Sequence, residues 1–149
     1  SSYRCTSFEE RADGFYKAIR KNGMSTSRSA VHDLSPTVDG AYADMKEVLA
    51  QSPKPQLANC YFADNDLIAT GAIRALAEAD YRIPEDVAII GFDNMPLCTY
   101  ITPPLTTVHV PKQYMGEIAV KQLVEIINNP RMIPIKIEVA TTLKVRKSC

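Results

Sequence analysis

The chain of 149 residues has no tryptophan, six glycines and two histidines, His32 and His109. So few glycines leave no phosphate-cradling loop: neither G-x-G-x-x-G nor G-x-x-x-x-G-K occurs. G-x-S-x-G and H-E-x-x-H are also missing, and neither histidine has a nucleophile beside it in sequence. The sequence therefore gives no support to an enzyme. A surplus of either charge is absent too, since seventeen basic residues balance seventeen acidic ones. Broad nucleic-acid surfaces need basic residues gathered in excess on one face, so this balance argues against one. No apolar run approaches the ~18 residues that a membrane span requires. The start, Ser1-Ser2-Tyr3-Arg4-Cys5, does not read as a signal peptide. Four cysteines (Cys5, Cys60, Cys98 and Cys149) are separated by 55, 38 and 51 residues, without a CxxC pair or a zinc-ligand rhythm. They read as reduced thiols of a cytosolic protein. What is present, 46% apolar and 23% charged residues, fits one soluble globular domain.

Helical and strand patterns alternate along the chain. Phe8, Ala12, Phe15, Tyr16 and Ile19 recur at helical spacing over residues 8–22, with Ser7 and Glu10 as an expected capping box and Gly23 as the stop. A weak strand is expected at 28–32, then a turn at Asp33, Ser35 and Pro36 and a helix over 37–50. Ser52-Pro53-Lys54-Pro55 reads as a loop, and 57–62 as a short strand. Asp64-Asn65-Asp66 caps a helix over 67–79. The run Val87-Ala88-Ile89-Ile90-Gly91-Phe92 has the continuous apolar character of a strand buried on both faces. A strand at 106–110, a helix at 112–128 and one or two strands within 136–146 complete the pattern. Such alternation predicts an α/β fold with a parallel sheet in Rossmann-like layers.

Open parallel sheets bind ligands beyond the carboxyl ends of their strands. Three such ends carry polar groups: Asp33-Leu34-Ser35, Asp64-Asn65-Asp66 and Asp93-Asn94. Carboxylates and carboxamides together supply acceptors and donors, which suits a polyhydroxylated or heteroaromatic small molecule. Taken alone, Asp33 and Asp64 to Asp66 read more readily as helix caps. Asp64 and Asp66 could also hold a magnesium ion, though capping is the stronger reading. Asp93 ends a buried strand without opening a helix, so capping does not account for it.

Six segments resemble, in order and spacing, the lactose-repressor/galactose-repressor (LacI/GalR) family of bacterial transcription regulators. These are Glu10-Arg11-Ala12-Asp13-Gly14-Phe15, Asn65-Asp66-Leu67-Ile68-Ala69-Thr70-Gly71-Ala72, the stretch from Arg82 to Asn94 (R-I-P-x-D-V-x-V-x-G-F-D-[DN]), Pro103-Pro104-Leu105-Thr106-Thr107-Val108, the helix with Met115-Gly116, Ala119-Val120 and Leu123, and the ending Leu143-x-x-Arg146-x-Ser148. The resemblance implies a truncated, periplasmic-binding-protein-like (type I) lobe. Residues 1–110 would be the C-terminal lobe of the effector-binding domain, incomplete at its N-terminal side. Residues 111–135 would be a crossover belonging to the other lobe, and 136–149 the terminal strands returning. It also implies that a DNA-binding headpiece, a hinge helix and most of the other lobe lie outside these residues, which would leave a stripe of Met115, Ile118, Ala119, Leu123 and Ile126 exposed.

Carried over residue by residue, the resemblance implies effector contacts at Arg11, Asn65 and Asp93, with Ser7 and Leu34 as further candidates. Leu34 stands where family members often have an aromatic residue, so the flat stacking face is lost. It implies a dimer surface including Thr70, Arg74 and Tyr100, although Tyr100 could equally be a half-buried core residue. The partners implied are a small-molecule effector (sugar or nucleobase-like), a second copy in a homodimer, and operator DNA through the headpiece alone. No cofactor, metal or membrane contact is implied, and the cytoplasm is the expected location. A periplasmic-type solute-binding protein is the alternative, sharing the same lobe architecture. Weak effector binding is expected of these residues alone, because half the cleft would lie elsewhere. In fluorescence anisotropy the 149 residues should show no sequence-specific DNA binding; a saturable, sequence-dependent signal would overturn this reading.

Overall fold

The computed structural model describes residues 5–27, 29–51 and 57–149. Helix α1 spans Thr6–Lys21. Its N-cap is Cys5, in extended conformation and without a side-chain cap bond, and the Cys5 carbonyl accepts from Phe8 and Glu9 N–H. The capping box expected at Ser7 therefore does not form: the helix starts before Ser7, which lies inside the first turn. Gly23 (φ +70°) closes the helix as expected.

Residues 29–32 carry no strand, contrary to expectation: among the described residues no backbone bonds pair them with β1, which they meet only through the His32 ring beside Tyr61; Arg28 lies outside the described residues. Helix α2 (Val38–Gln51) follows a turn in which Ser35 N–H donates to Asp44 Oδ2 and Gly40 N–H donates to Thr37 Oγ1. The expected loop at 52–55 lies outside the described residues. Strand β1 shrinks from the expected 57–62 to Cys60–Phe62, and α3 spans Asp66–Glu78. Strand β2 (Ala88–Asp93) leads into a 3-10 turn at Pro96–Thr99 and then β3 (Thr106–His109). Helix α4 covers Lys112–Asn128, and β4 is a single strand, Thr142–Lys144.

The sheet order is β1-β2-β3-β4. The first three strands run parallel and β4 closes antiparallel on β3. The pairing Asp93↔His109 brings the carboxyl ends of β2 and β3 level. Helices α2 and α3 pack on each other, and a Cβ at Gly71 would run into the Val38 carbonyl, Tyr42 N and Ala41 Cβ. The core of Leu76, Val87, Ile89 and Leu105 is fully buried. Each such side chain contributes about 1.5–3 kcal/mol of hydrophobic free energy. Helix α4 has no buried residue, and Met115, Leu123 and Ile126 of its expected stripe are exposed, while Ile118 is half-buried.

Two buried polar side chains stitch the sheet to its surroundings. Ser148 Oγ accepts from Thr106 N–H (2.8 Å) and donates to the Ile89 carbonyl (2.6 Å), tying the chain's last residues across β2 and β3. Asp66, fully buried in the first turn of α3, accepts from Met95 N–H through Oδ2 (2.7 Å) and from the Thr107 hydroxyl through Oδ1 (2.6 Å). Both oxygens are thus committed, which removes the magnesium reading of Asp64 and Asp66. Gly91 makes room for this carboxylate: a Cβ there would collide with Asp66 Oδ1 and meet Leu105 Cδ2. The neighbouring Cys98 thiol is pushed up to about 12 by burial, with its hydrogen bond to Asp66 adding to the rise.

Gly91→Ala should cost about 1–3 kcal/mol of stability by overpacking, read in urea denaturation. It should also expose Cys98, which stays inert to a thiol reagent at neutral pH in the parent chain while exposed Cys60 and Cys149 react. An unchanged midpoint would refute the packing argument.

Candidate functional site

The carboxyl ends of β1 and β2 meet the first helix. Asn65 sits one residue before α3 and its Oδ1 caps the helix, accepting from Ile68 N–H at 2.9 Å. The cap uses the amide oxygen and leaves the two Nδ2 protons uncommitted to it. Asp93, the last residue of β2, and Asn94 after it both adopt positive φ, +111° and +52°. Asparagine tolerates the left-handed region, whereas an aspartate at +111° stores strain on the order of 1–3 kcal/mol. Such strain persists where surrounding bonds over-determine the backbone. Here Asn94 N–H donates to Thr107 Oγ1 (3.3 Å), Met95 N–H is taken by Asp66, and Lys112 Nζ donates to the Asp93 carbonyl.

Arg11 reaches the same place from α1. Its guanidinium lies on the Phe92 ring, 3.9 Å from the centroid, with Phe8 at 5.3 Å. One nitrogen donates to the Asp64 carbonyl and the other stands 3.8 Å from Asp93 Oδ1. Stacking on an aromatic face, with donors left in a fixed fork, is what arginine does better than lysine. Burial raises the Asp93 carboxyl above its ordinary range; Arg11 and Lys112 pull it back, and Asp66 adds to the rise. Arg11 and Asp93 thus set a fixed cation beside a carboxylate acceptor on the sheet's carboxyl edge, with the Asn65 cap following Asp64 in sequence.

The fold brings together the sequence candidates Arg11 and Asp93, with Asn65 beside the Asp64 carbonyl that holds Arg11. Ser7 stays apart, exposed on the first turn of α1 with Cys5 Sγ 3.2 Å away. Leu34 is 6% exposed and packs in the core; it also lines an apolar groove of about 680 Å³ between α1, residues 29–34 and β1. That groove is walled mainly by apolar and aromatic side chains, among them Phe8, Phe15, Tyr16 and Tyr61, with Glu9, His32, Asp33 and Asp64 as polar groups in its lining. The Arg11–Asp93 pair does not line it. His109, Lys112 and Arg146 were not found by sequence reading. Arg146 Nη1 donates to the Leu105 carbonyl and Nη2 to Asn94 Oδ1, and Asn94 Nδ2 lies 3.1 Å from His109 Nδ1. The ending L-x-x-R-x-S held the signal for Arg146, but nothing in spacing could link it to Asn94, 52 residues away.

Of the suggested partner-facing residues, Tyr100 is 84% exposed, which rules out the core reading. Arg74 lies on the Tyr42 ring at 4.1 Å and pairs with Glu78 at 3.3 Å, while the Thr70 hydroxyl donates to the Asp66 carbonyl. Among the described residues no helix is long and apolar enough to cross a membrane.

The sequence matches a model for a periplasmic binding protein-like domain over residues 2–149. The ribose operon repressor of Escherichia coli (strain K12) is 30% identical over 138 residues, covering 93% of this chain and 41% of the repressor. The HTH-type transcriptional repressor PurR of Pasteurella multocida (strain Pm70) is 36% identical, covering 96% of this chain and 42% of PurR. Among solved structures, a LacI family transcriptional regulator from Enterococcus faecalis V583 with bound ribose superposes with a TM-score of 0.84 at 31% identity, over 98% of this chain and 51% of that one. This chain therefore spans about two fifths of the length of the curated relatives it matches. With its largely parallel sheet and a match over residues 2–149, the chain belongs to the periplasmic binding protein-like domain family.

Proposed function

We propose that these residues bind a small polyhydroxylated effector, and that in the whole protein they act as the sensing part of a repressor. One observation carries the reading: Arg11, stacked and oriented by Phe92, faces a strained Asp93 at the carboxyl ends of the strands, where open parallel sheets take their ligands. Sugar hydroxyls donate to a carboxylate and accept from a guanidinium, so one ligand satisfies both. The Asn65 amide protons add a donor. The periplasmic-type solute-binding alternative is not favoured, because the matching relatives named above are transcriptional repressors. No catalytic nucleophile enters this reading, and the relatives named above are repressors.

Ligand bound at this edge would favour one arrangement of the whole protein over another, and the size of the switch equals the ligand's differential affinity for the two. Operator DNA would be met outside these residues, in the cytoplasm, by a homodimer. Helix α4 and the segment to residue 135 would pack against another part of the protein, with residues 136–149 returning to the sheet. Thr70, Arg74 and Tyr100 would line the dimer surface. The groove beside Leu34 would contribute apolar contact, and Ser7 would stand outside it.

Titration calorimetry of the intact protein with D-ribose should show binding that Asp93→Ala or Arg11→Ala weakens on the order of tenfold to a hundredfold, the worth of hydrogen bonds to charged groups. Unchanged affinity would remove either residue from the site. Because the Asp93 carboxyl is raised in the folded chain, acidification should abolish binding at a higher pH than the ~3.9 of a free aspartate. By the same linkage, ionised Asp93 disfavours the fold at neutral pH. Asp93→Asn should raise thermal stability there, and the gain should vanish as pH falls below the unfolded value. A fall in stability would contradict the burial argument.

Tyr100→Glu should shift the intact protein toward monomer in sedimentation velocity. An unaltered dimer would place the interface elsewhere.

A further inference from the structure

His109 ends β3 directly beside Asp93 in the ladder, and its ring contacts fix more than its position. Arg146 Nη2 stands 2.7 Å from Asn94 Oδ1. A guanidinium can only donate, so the Asn94 atom it meets is the oxygen, and Nδ2 is turned to the other side. There Nδ2 lies 3.1 Å from His109 Nδ1. An amide nitrogen also only donates, so Nδ1 must offer its lone pair, and the ring proton sits on Nε2. The identity of each donor follows from the cation at the head of the row. The row joins three separate elements: the stretch after β4, the loop after β2 and the end of β3. Arg146 is itself anchored, through Nη1 on the Leu105 carbonyl and its own N–H on the Thr106 hydroxyl. Among the described residues Nε2 meets no acceptor.

We propose that His109 is an effector-contact residue, its Nε2–H donating to a ligand oxygen next to the hydroxyl that Asp93 accepts. Arg146 and Asn94 are the positioning residues that hold this tautomer. The two residues, paired in the ladder, then offer one acceptor and one donor, which selects a ligand with neighbouring oxygens, such as the vicinal hydroxyls of a sugar. A ligand with a lone hydroxyl would satisfy only Asp93. The inference rests on the effector site proposed above and names a member of it that sequence reading did not reach.

Two variants separate contact from structure. In His109→Asn the new amide oxygen takes the place of Nδ1 and keeps the bond from Asn94, but no donor remains at the Nε2 position. In His109→Gln a donor returns near Nε2 while the bond to Asn94 is lost. Calorimetry of the intact protein with D-ribose should show His109→Asn weakened about tenfold and His109→Gln largely retained. Nitrogen NMR of the unliganded protein should show Nδ1 bare and Nε2 protonated. The reverse ranking of the two variants, or a proton on Nδ1, would overturn the inference. Full affinity in His109→Asn together with lost affinity in Asp93→Ala would overturn it while sparing the effector site. Absence of D-ribose binding by the parent protein would remove the sugar reading and this inference with it.

Discussion

A carboxylate with no access to water governs this structure. Asp66 sits in the first turn of α3, where the helix dipole favours negative charge, and spends one oxygen on the loop after β2 and the other on β3. Leaving either partner unmatched would cost about 1–3 kcal/mol for a buried donor. The arrangement needs a glycine at 91, because any side chain there would occupy the space of the carboxylate. It also fixes Met95 N–H and the Thr107 hydroxyl, which accepts from Asn94 N–H, and so holds the backbone directly after Asp93. The strain at Asp93 is thus sustained by a group that never touches a ligand.

From that anchor the site assembles outward. The helix that Asp66 opens is capped by the Asn65 amide oxygen. Arg11 comes from a helix without a single buried residue and is held by an aromatic face and a main-chain carbonyl. Lys112 and Arg146 arrive from the other side, on the Asp93 carbonyl and on Asn94. Helices, strand ends and loops therefore meet at one edge of the sheet, through hydrogen bonds and the stacking of Arg11 on Phe92.

Much of this was legible in the sequence for a physical reason. Val87 to Phe92 is apolar on both faces, so it had to be a central strand, and α4 was placed at its observed ends by periodicity alone. Asp93 stood out because a charged residue closed a buried strand. Other features had no local signal. The weak strand expected at 28–32 does not form over residues 29–32: His32 meets Tyr61 of β1 through its side chain, without a backbone ladder between the two segments. The capping box at Ser7 failed because the chain could start its helix earlier, on the Cys5 carbonyl. The row from Arg146 to His109 depends on the antiparallel return of β4, which no spacing rule anticipates. The family resemblance supplied Arg11 and Asn65; the stacking of Arg11 on Phe92 came from the structure.

The central claim is that the sheet's carboxyl edge, and not the apolar groove along its flank, receives the effector. A crystal structure of the intact protein with D-ribose tests it most directly. The account predicts a sugar hydroxyl in hydrogen-bond contact with the Asp93 carboxylate and a second oxygen on the Arg11 guanidinium. Sugar density confined to the groove between α1 and β1, with Asp93 and Arg11 paired only to each other, would contradict it.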